Sequence, residues 1–124
     1  MKSLARFWHN QSGSGAAEFA MVFLPFAALI FAIIHLSMLF YANQSLQYAT
    51  EAAARCYSVD SNNCGSIGNT ENFATGRYAG PNIGAAFHAT ATGCGHTVTG
   101  TGNYRLNAVF VTRTVPLTVT ACFP

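Results

Sequence analysis

The chain has 124 residues, room for one ordinary domain, and is 51% hydrophobic and only 8% charged, with a formal net charge of +2. Charge this sparse argues against a disordered tail, which combines high charge with low hydrophobicity. It also argues against a nucleic-acid partner, which needs a Lys/Arg-rich face to displace counterions from phosphates. The charges are unevenly placed: Lys2 and Arg6 lie at the start, none occurs between residues 19 and 50, and all others except Glu18 lie from Glu51 onward.

Taken in chain order, the first element is a short basic leader, residues 1–13. Residues 19–41 then form an apolar run broken only by Pro25, His35 and Ser37. At about 1.5 Å rise per residue, roughly 20 apolar residues cross a ~30 Å hydrocarbon core. The competing reading, a buried core helix, needs a domain large enough to cover it on every side. A cleaved secretory signal fits the basic start, but its apolar run is normally about 7–15 residues. Basic residues precede the run, and none follows until Arg55. The positive-inside rule therefore puts the N-terminus in the cytoplasm and the C-terminal part outside, in a single pass. Pro25 lacks the N–H that would reach the Met21 carbonyl and is tolerated or kinks the helix there. His35, mid-run, is read as an interhelical hydrogen-bonding group or a tolerated residue.

The helix is expected to continue past the membrane to Tyr57, giving a long helix over residues 14–57 with a membrane span at about 19–41 and an amphipathic tail at 43–57. No Gly or Pro interrupts that tail. Leu46, Ala49, Ala53 and Cys56 recur at helical spacing and make a narrow stripe that needs something to pack on.

Glu18 stands at the head of the apolar run, where a carboxylate is costly if buried without a partner. On position alone it is a first-turn acid favoured by the helix dipole. Its surroundings say more. The string Gly13-Ser14-Gly15-Ala16-Ala17-Glu18-Phe19 follows the basic leader directly and resembles the prepilin peptidase site of type IV pilin-like proteins. The continuation through Pro25 to the Ala-rich stretch of Ala49, Ala52, Ala53 and Arg55 resembles TadE-like minor pilins (pseudopilins) of the tight-adherence, or Flp-type, pilus system.

The resemblance covers about residues 13 to 57 and implies cleavage between Gly13 and Ser14. Ser14 becomes the new N-terminus, and Glu18 and Phe19 act in assembly. It implies a bacterial inner-membrane protein with an extracytoplasmic domain, a prepilin peptidase, other pilins and the assembly machinery as partners beside the lipid bilayer, and no enzymatic activity. The uncleaved alternative is a single-pass anchor for an extracytoplasmic binding module. A third reading is a secreted domain released after Tyr41.

Residues 58–124 form the extracytoplasmic region. Residues 58–69 read as an irregular loop, and residues 70–80 as a short helix with Thr70 as N-cap, ended by Gly76 or Gly80. From Ala85 onward Thr and β-branched residues dominate. The last run alternates, with Val109, Val111, Val115, Leu117 and Val119 on one face and Phe110, Thr112, Thr114 and Thr118 on the other. Pro116 is expected to split this run or to demote it to an edge strand. The fold expected is α+β: the long helix packed on a small antiparallel sheet of about three strands.

So small a region has little core of its own. Cys56, Cys64, Cys94 and Cys122 all fall on the side facing an oxidising compartment, which favours two disulfides. Three pairings are possible, and Cys56–Cys64 with Cys94–Cys122 is the one expected. A metal site on Cys94, His96 and His88 competes, but Cys-x-His alone falls short of the four closely paired ligands of a zinc site. No metal or other cofactor is expected. The Gly93-Cys94-Gly95 and Gly100-Thr101-Gly102 stretches lack a following helix, so they are read as turns rather than phosphate loops. No catalytic elbow or triad order is present.

Overall fold

The computed structural model describes residues 14–108 and 111–124. Helix α1 (Ser14–Val59) is followed by a single-turn helix α2 (Ser61–Cys64), helix α3 (Ile67–Arg77) and strands β1 (Ala86–Thr92), β2 (Gly95–Ala108) and β3 (Val111–Phe123). The chain divides into two compact units, one ending at His35 and one covering Leu36–Pro124. Pro25 lies inside α1 without ending it.

In the second unit, α1 presents a small-residue stripe to the sheet. Ala42, Leu46, Ala49, Thr50, Ala53, Ala54 and Cys56 are buried, which includes all four residues of the expected stripe. They join Ala74, Ile83, Phe87, Ala89 and Val98 in one core, with Tyr104, Leu117, Val119 and Ala121 packed at its border. Thr50 sits in this apolar setting because its hydroxyl donates to the Leu46 carbonyl at 2.7 Å, which removes the cost of burying it.

The sheet is an antiparallel meander, β1-β2-β3. Phe87 opposes Gly100 and Ala89 opposes Val98, while Val98 opposes Ala121 and Gly100 opposes Val119. The inward positions of β3 are the half-buried Val115, Leu117, Val119 and Ala121. That agrees with the period-two pattern of the run. Val109 and Phe110, also part of the expected pattern, lie outside the described residues.

Three expectations are corrected, and a fourth, at Pro116, is narrowed to one of its two outcomes. Residues 58–69 are not a loop throughout: Asp60 caps α2, its carboxylate accepting from the Asn62 and Asn63 amides. Helix α3 begins at Ile67 rather than after Thr70, because Ser66 is the N-cap and accepts from the Asn69 amide at 3.3 Å. Thr70 is instead buried, its hydroxyl donating to the Ser66 carbonyl at 2.9 Å and near the Cys64 carbonyl at 3.1 Å. Pro116, expected either to split the run or to demote it to an edge strand, does the second. It lies within β3, opposite Asn103, where an edge strand tolerates the missing donor.

The third correction concerns glycine. Gly93-Cys94 does form the β1–β2 turn, and Gly95 takes φ 127, a conformation L side chains rarely adopt. Gly100-Thr101-Gly102, however, is mid-strand in β2. A Cβ at Gly100 would stand 2.5 Å from Thr50 Oγ1, 3.1 Å from Phe87 and 3.2 Å from Leu46. Gly100 lets helix α1 and strand β2 approach closely, and Gly102 makes room for Ile83 of the segment before β1.

Candidate functional site

Ser14 and Glu18 lie one helical turn apart on α1. Gly13, the other half of the expected processing site, lies outside the described residues, as do Lys2 and Arg6. From Ser14 to Thr50, Glu18 is the only Asp, Glu, Lys or Arg. Glu18 and Phe19 are exposed, and the Phe19 ring stacks on Phe23 one turn on, with centroids 5.4 Å apart. The large side chains that follow are exposed as well, from 40% at Ile30 to 78% at Met21. Apolar surface on this scale calls for lipid or other subunits to cover it, and α1 is long and apolar enough to cross a membrane. His35 is half-buried within this stretch.

The second unit holds the cysteines. Cys56, near the end of α1, pairs with Cys64 at the end of α2, with Cα atoms 5.7 Å apart. Cys94, in the β1–β2 turn, pairs with Cys122 near the end of β3 at 6.5 Å. Both separations suit a disulfide.

The pairing occupies one of the three groups considered for a metal, and His96 Nδ1 is buried without a hydrogen-bond partner. His88 Nδ1 stands 3.4 Å from Glu71 Oε1, and the His96 ring lies 4.1 Å from that of Tyr57. Among the described residues, no three His, Cys, Asp or Glu side chains gather into a metal-holding group.

Several functional contacts carry no sequence signature. Glu71 on α3 accepts from the Ala89 amide at 3.1 Å and so covers the outer edge of β1. The segment after α3 is tied to α1: the Tyr41 hydroxyl donates to the Ala79 carbonyl at 2.8 Å, and the Ala79 amide donates to Ser45 at 3.0 Å. Tyr78 donates to the Pro81 carbonyl at 2.6 Å, and burial raises its phenol above the ordinary pKa. An open cleft of about 900 Å³ is lined by residues of α1, α3 and the end of β3, among them Tyr48, Arg55, Phe73, Arg77 and Phe123. Arg77 sits over the Phe73 ring at 4.9 Å.

Comparison with known families places the first of these two regions. Residues 13–55 match the family described as TadE-like protein. The segment is TadE-like. Its match runs from Gly13 through Glu18 and the apolar stretch to Arg55, stopping one residue before Cys56, so the sheet and both disulfides lie beyond it. No curated protein and no solved structure matches the chain.

Proposed function

We propose that the chain is a minor pilin, or pseudopilin, that a prepilin peptidase cuts between Gly13 and Ser14 and that then acts structurally in assembling an adhesive tight-adherence pilus. The observation that carries this reading is Glu18: one carboxylate at the head of an exposed apolar helix, within a TadE-like match that opens at Gly13. Cleavage there frees an α-amine on Ser14. The Glu18 carboxylate of one subunit neutralises the Ser14 amine of its neighbour as the helices gather. A buried charge pair contributes little net stability, but mispairing leaves a charge uncompensated, so it fixes register.

The basic leader holds the N-terminus on the cytoplasmic side of the bacterial inner membrane, and the sheet stands on the opposite side. There the two cysteine pairs meet an oxidising compartment. The partners are the prepilin peptidase, other pilins with their assembly machinery, and the bilayer.

Intact-mass and N-terminal analysis of the membrane-extracted protein tests this reading. A chain that begins at Ser14 supports it. A chain that keeps Met1 in cells with an active prepilin peptidase overturns it in favour of an uncleaved anchor. A start beyond Ala42 overturns it in favour of a secreted domain.

A further inference from the structure

The two edges of the sheet differ, and the backbone shows how. In an antiparallel strand the N–H and C=O of one residue point the same way, and those of the next point the other way. Asn103 on β2 donates its amide to the Ile83 carbonyl at 2.8 Å, on the β1 side. Odd-numbered residues of β2 therefore turn toward β1 and even-numbered ones toward β3. Ala89, opposite Val98, obeys the same alternation, since its amide leaves the sheet for Glu71. On β3 the residues opposite even-numbered β2 positions are odd, as Val119 is opposite Gly100. The backbone groups of Thr112, Thr114, Thr118, Thr120 and Cys122 thus face away from the sheet, and Pro116 has no amide to offer there.

Glu71 covers the edge of β1. On β3, among the described residues, no hydrogen bond reaches these outward amides and carbonyls. Arg113 and Pro116 guard the first half of that edge against another chain. The second half, residues 117–123, holds neither a charge nor a proline.

The ground beside this half is open. Residues 120–123 line the cleft together with Tyr48, Ala52, Arg55 and Val59, which follow one another along one face of α1. Tyr48 is 59% exposed, Val59 67% and Phe123 37%. The acids of the cleft are engaged, Glu51 accepting from Gln47 at 3.2 Å and Asp60 capping α2. Arg55 has no carboxylate within ion-pair distance among the described residues.

We propose that residues 117–123 of β3 receive an extended strand of a partner polypeptide. Its backbone pairs with Thr118, Thr120 and Cys122, and its cleft-facing side chains include a carboxylate that meets Arg55. Donors and acceptors that recur at every second residue, about 6.8 Å apart, are complemented along their length by another extended backbone. The incoming apolar side chains complete the cover of Leu117, Val119 and Ala121, which are only partly buried. A second copy of β3 could offer a backbone, but β3 carries no acid for Arg55, so charge favours a different chain.

The full chain in detergent micelles tests this, with the acetylated, amidated peptide Lys-Thr-Val-Thr-Glu-Thr-Val-Thr-Lys as the probe. The peptide is expected to slow hydrogen exchange at the Thr118, Thr120 and Cys122 amides about tenfold or more and to leave Thr112 unchanged. Thr120→Pro removes one outward donor, as Pro116 already does, and so spares the β2–β3 ladder. It should keep the parent's denaturant midpoint and weaken the peptide about tenfold. Thr114→Pro, on the guarded half, should bind the peptide as the parent does. Arg55→Gln, or Gln in place of the peptide's Glu, should each weaken binding about threefold, and the two together no further.

Unchanged exchange at the three amides overturns the strand site, and so does undiminished binding by a folded Thr120→Pro chain. Exchange that slows with chain concentration, in the absence of peptide, overturns the proposal in favour of a second copy. Equal affinity for the Glu and Gln peptides overturns the contact with Arg55. The exchange pattern and Arg55→Gln decide the matter even if Thr120→Pro fails to fold.

Discussion

Gly100 in β2 lies so close to Thr50 in α1 that a Cβ on the glycine would stand 2.5 Å from the threonine hydroxyl oxygen. That oxygen is held in place by its own bond to the Leu46 carbonyl, and Phe87 and Leu46 close the remaining space. Here the strand contributes no side chain, and the side chains of α1 lie directly on its backbone. The small-residue stripe of α1 and the glycine of β2 are therefore two halves of one packing solution.

Gly100→Ala is expected to destabilise the folded unit by about 1–3 kcal/mol, the range for overpacking a filled core. Gly76→Ala, on α3 where a Cβ meets nothing within 4 Å, is expected to be neutral or to stabilise by about 0.5 kcal/mol through helix propensity. Denaturant midpoints of the two variants beside the parent chain check the contrast. Equal midpoints for Gly100→Ala and the parent would mean that the helix and strand separate at no cost.

The two halves of that packing were not equally legible. Leu46, Ala49, Ala53 and Cys56 recur at 3.6-residue spacing, and Val115, Leu117 and Val119 at spacing two, so periodicity alone marked both buried faces. Gly100 and Gly102 looked like turn residues because a glycine needed for close approach and one needed for a turn are the same letter. From Ala108 to Val115 the sequence holds no Gly, Asn, Asp or Pro to announce a turn, so Pro116 was the visible break in the run. Residues 58–69 looked like a loop because Ser, Asn and Asp favour turns, yet Asp60 and Ser66 act here as caps. At the candidate site, Glu18 was legible because it is the lone charge in a long apolar context. The Glu71–Ala89 contact was not, since only the folded chain brings α3 to the edge of β1.

The two disulfides are expected to differ in worth. Cys56–Cys64 closes a separation of 8 residues and Cys94–Cys122 one of 28. Loop-closure entropy assigns about 2.5 kcal/mol to the first and about 3.6 kcal/mol to the second. Double substitution by Ala of Cys94 and Cys122 should therefore lower the denaturant midpoint more than that of Cys56 and Cys64. Thiol labelling of the unfolded, unreduced chain checks that the four cysteines are oxidised. Four reactive thiols would remove the premise.

Asp60 is expected to give stability a dependence on acid pH. Its carboxylate accepts from the Asn63 side-chain amide at 2.7 Å and from the Asn63 and Asn62 backbone amides at 3.2 and 3.1 Å. Those bonds, the Asn63 side chain foremost, hold its pKa below the ordinary 3.8. A carboxylate depressed in the folded state adds stability that is complete above its unfolded pKa and is lost as pH falls through the folded one. Denaturant midpoints should therefore drop on acidification from pH about 5 to about 2.5. Asp60→Asn, which still caps the helix, should flatten that part of the profile. An unchanged acid slope in Asp60→Asn would assign the dependence to other carboxylates.

Glu18 carries the sharpest expectation for assembly. If its carboxylate neutralises a neighbour's Ser14 amine, Glu18→Ala leaves that amine buried and unpaired, a cost of about 3 kcal/mol or more per contact. The variant should reach the membrane and be processed to a Ser14 start, yet enter sheared pilus fractions at least tenfold less than the parent. Glu18→Gln separates charge from size: it keeps the length and a hydrogen-bonding oxygen but carries no charge, and should also fail if neutralisation is what counts. N-terminal analysis of the membrane pool beside quantification of the pilus fraction reads both steps in one experiment. Normal incorporation of Glu18→Ala would show that the carboxylate sets no register, and a loss of processing would move its role from assembly to recognition by the peptidase.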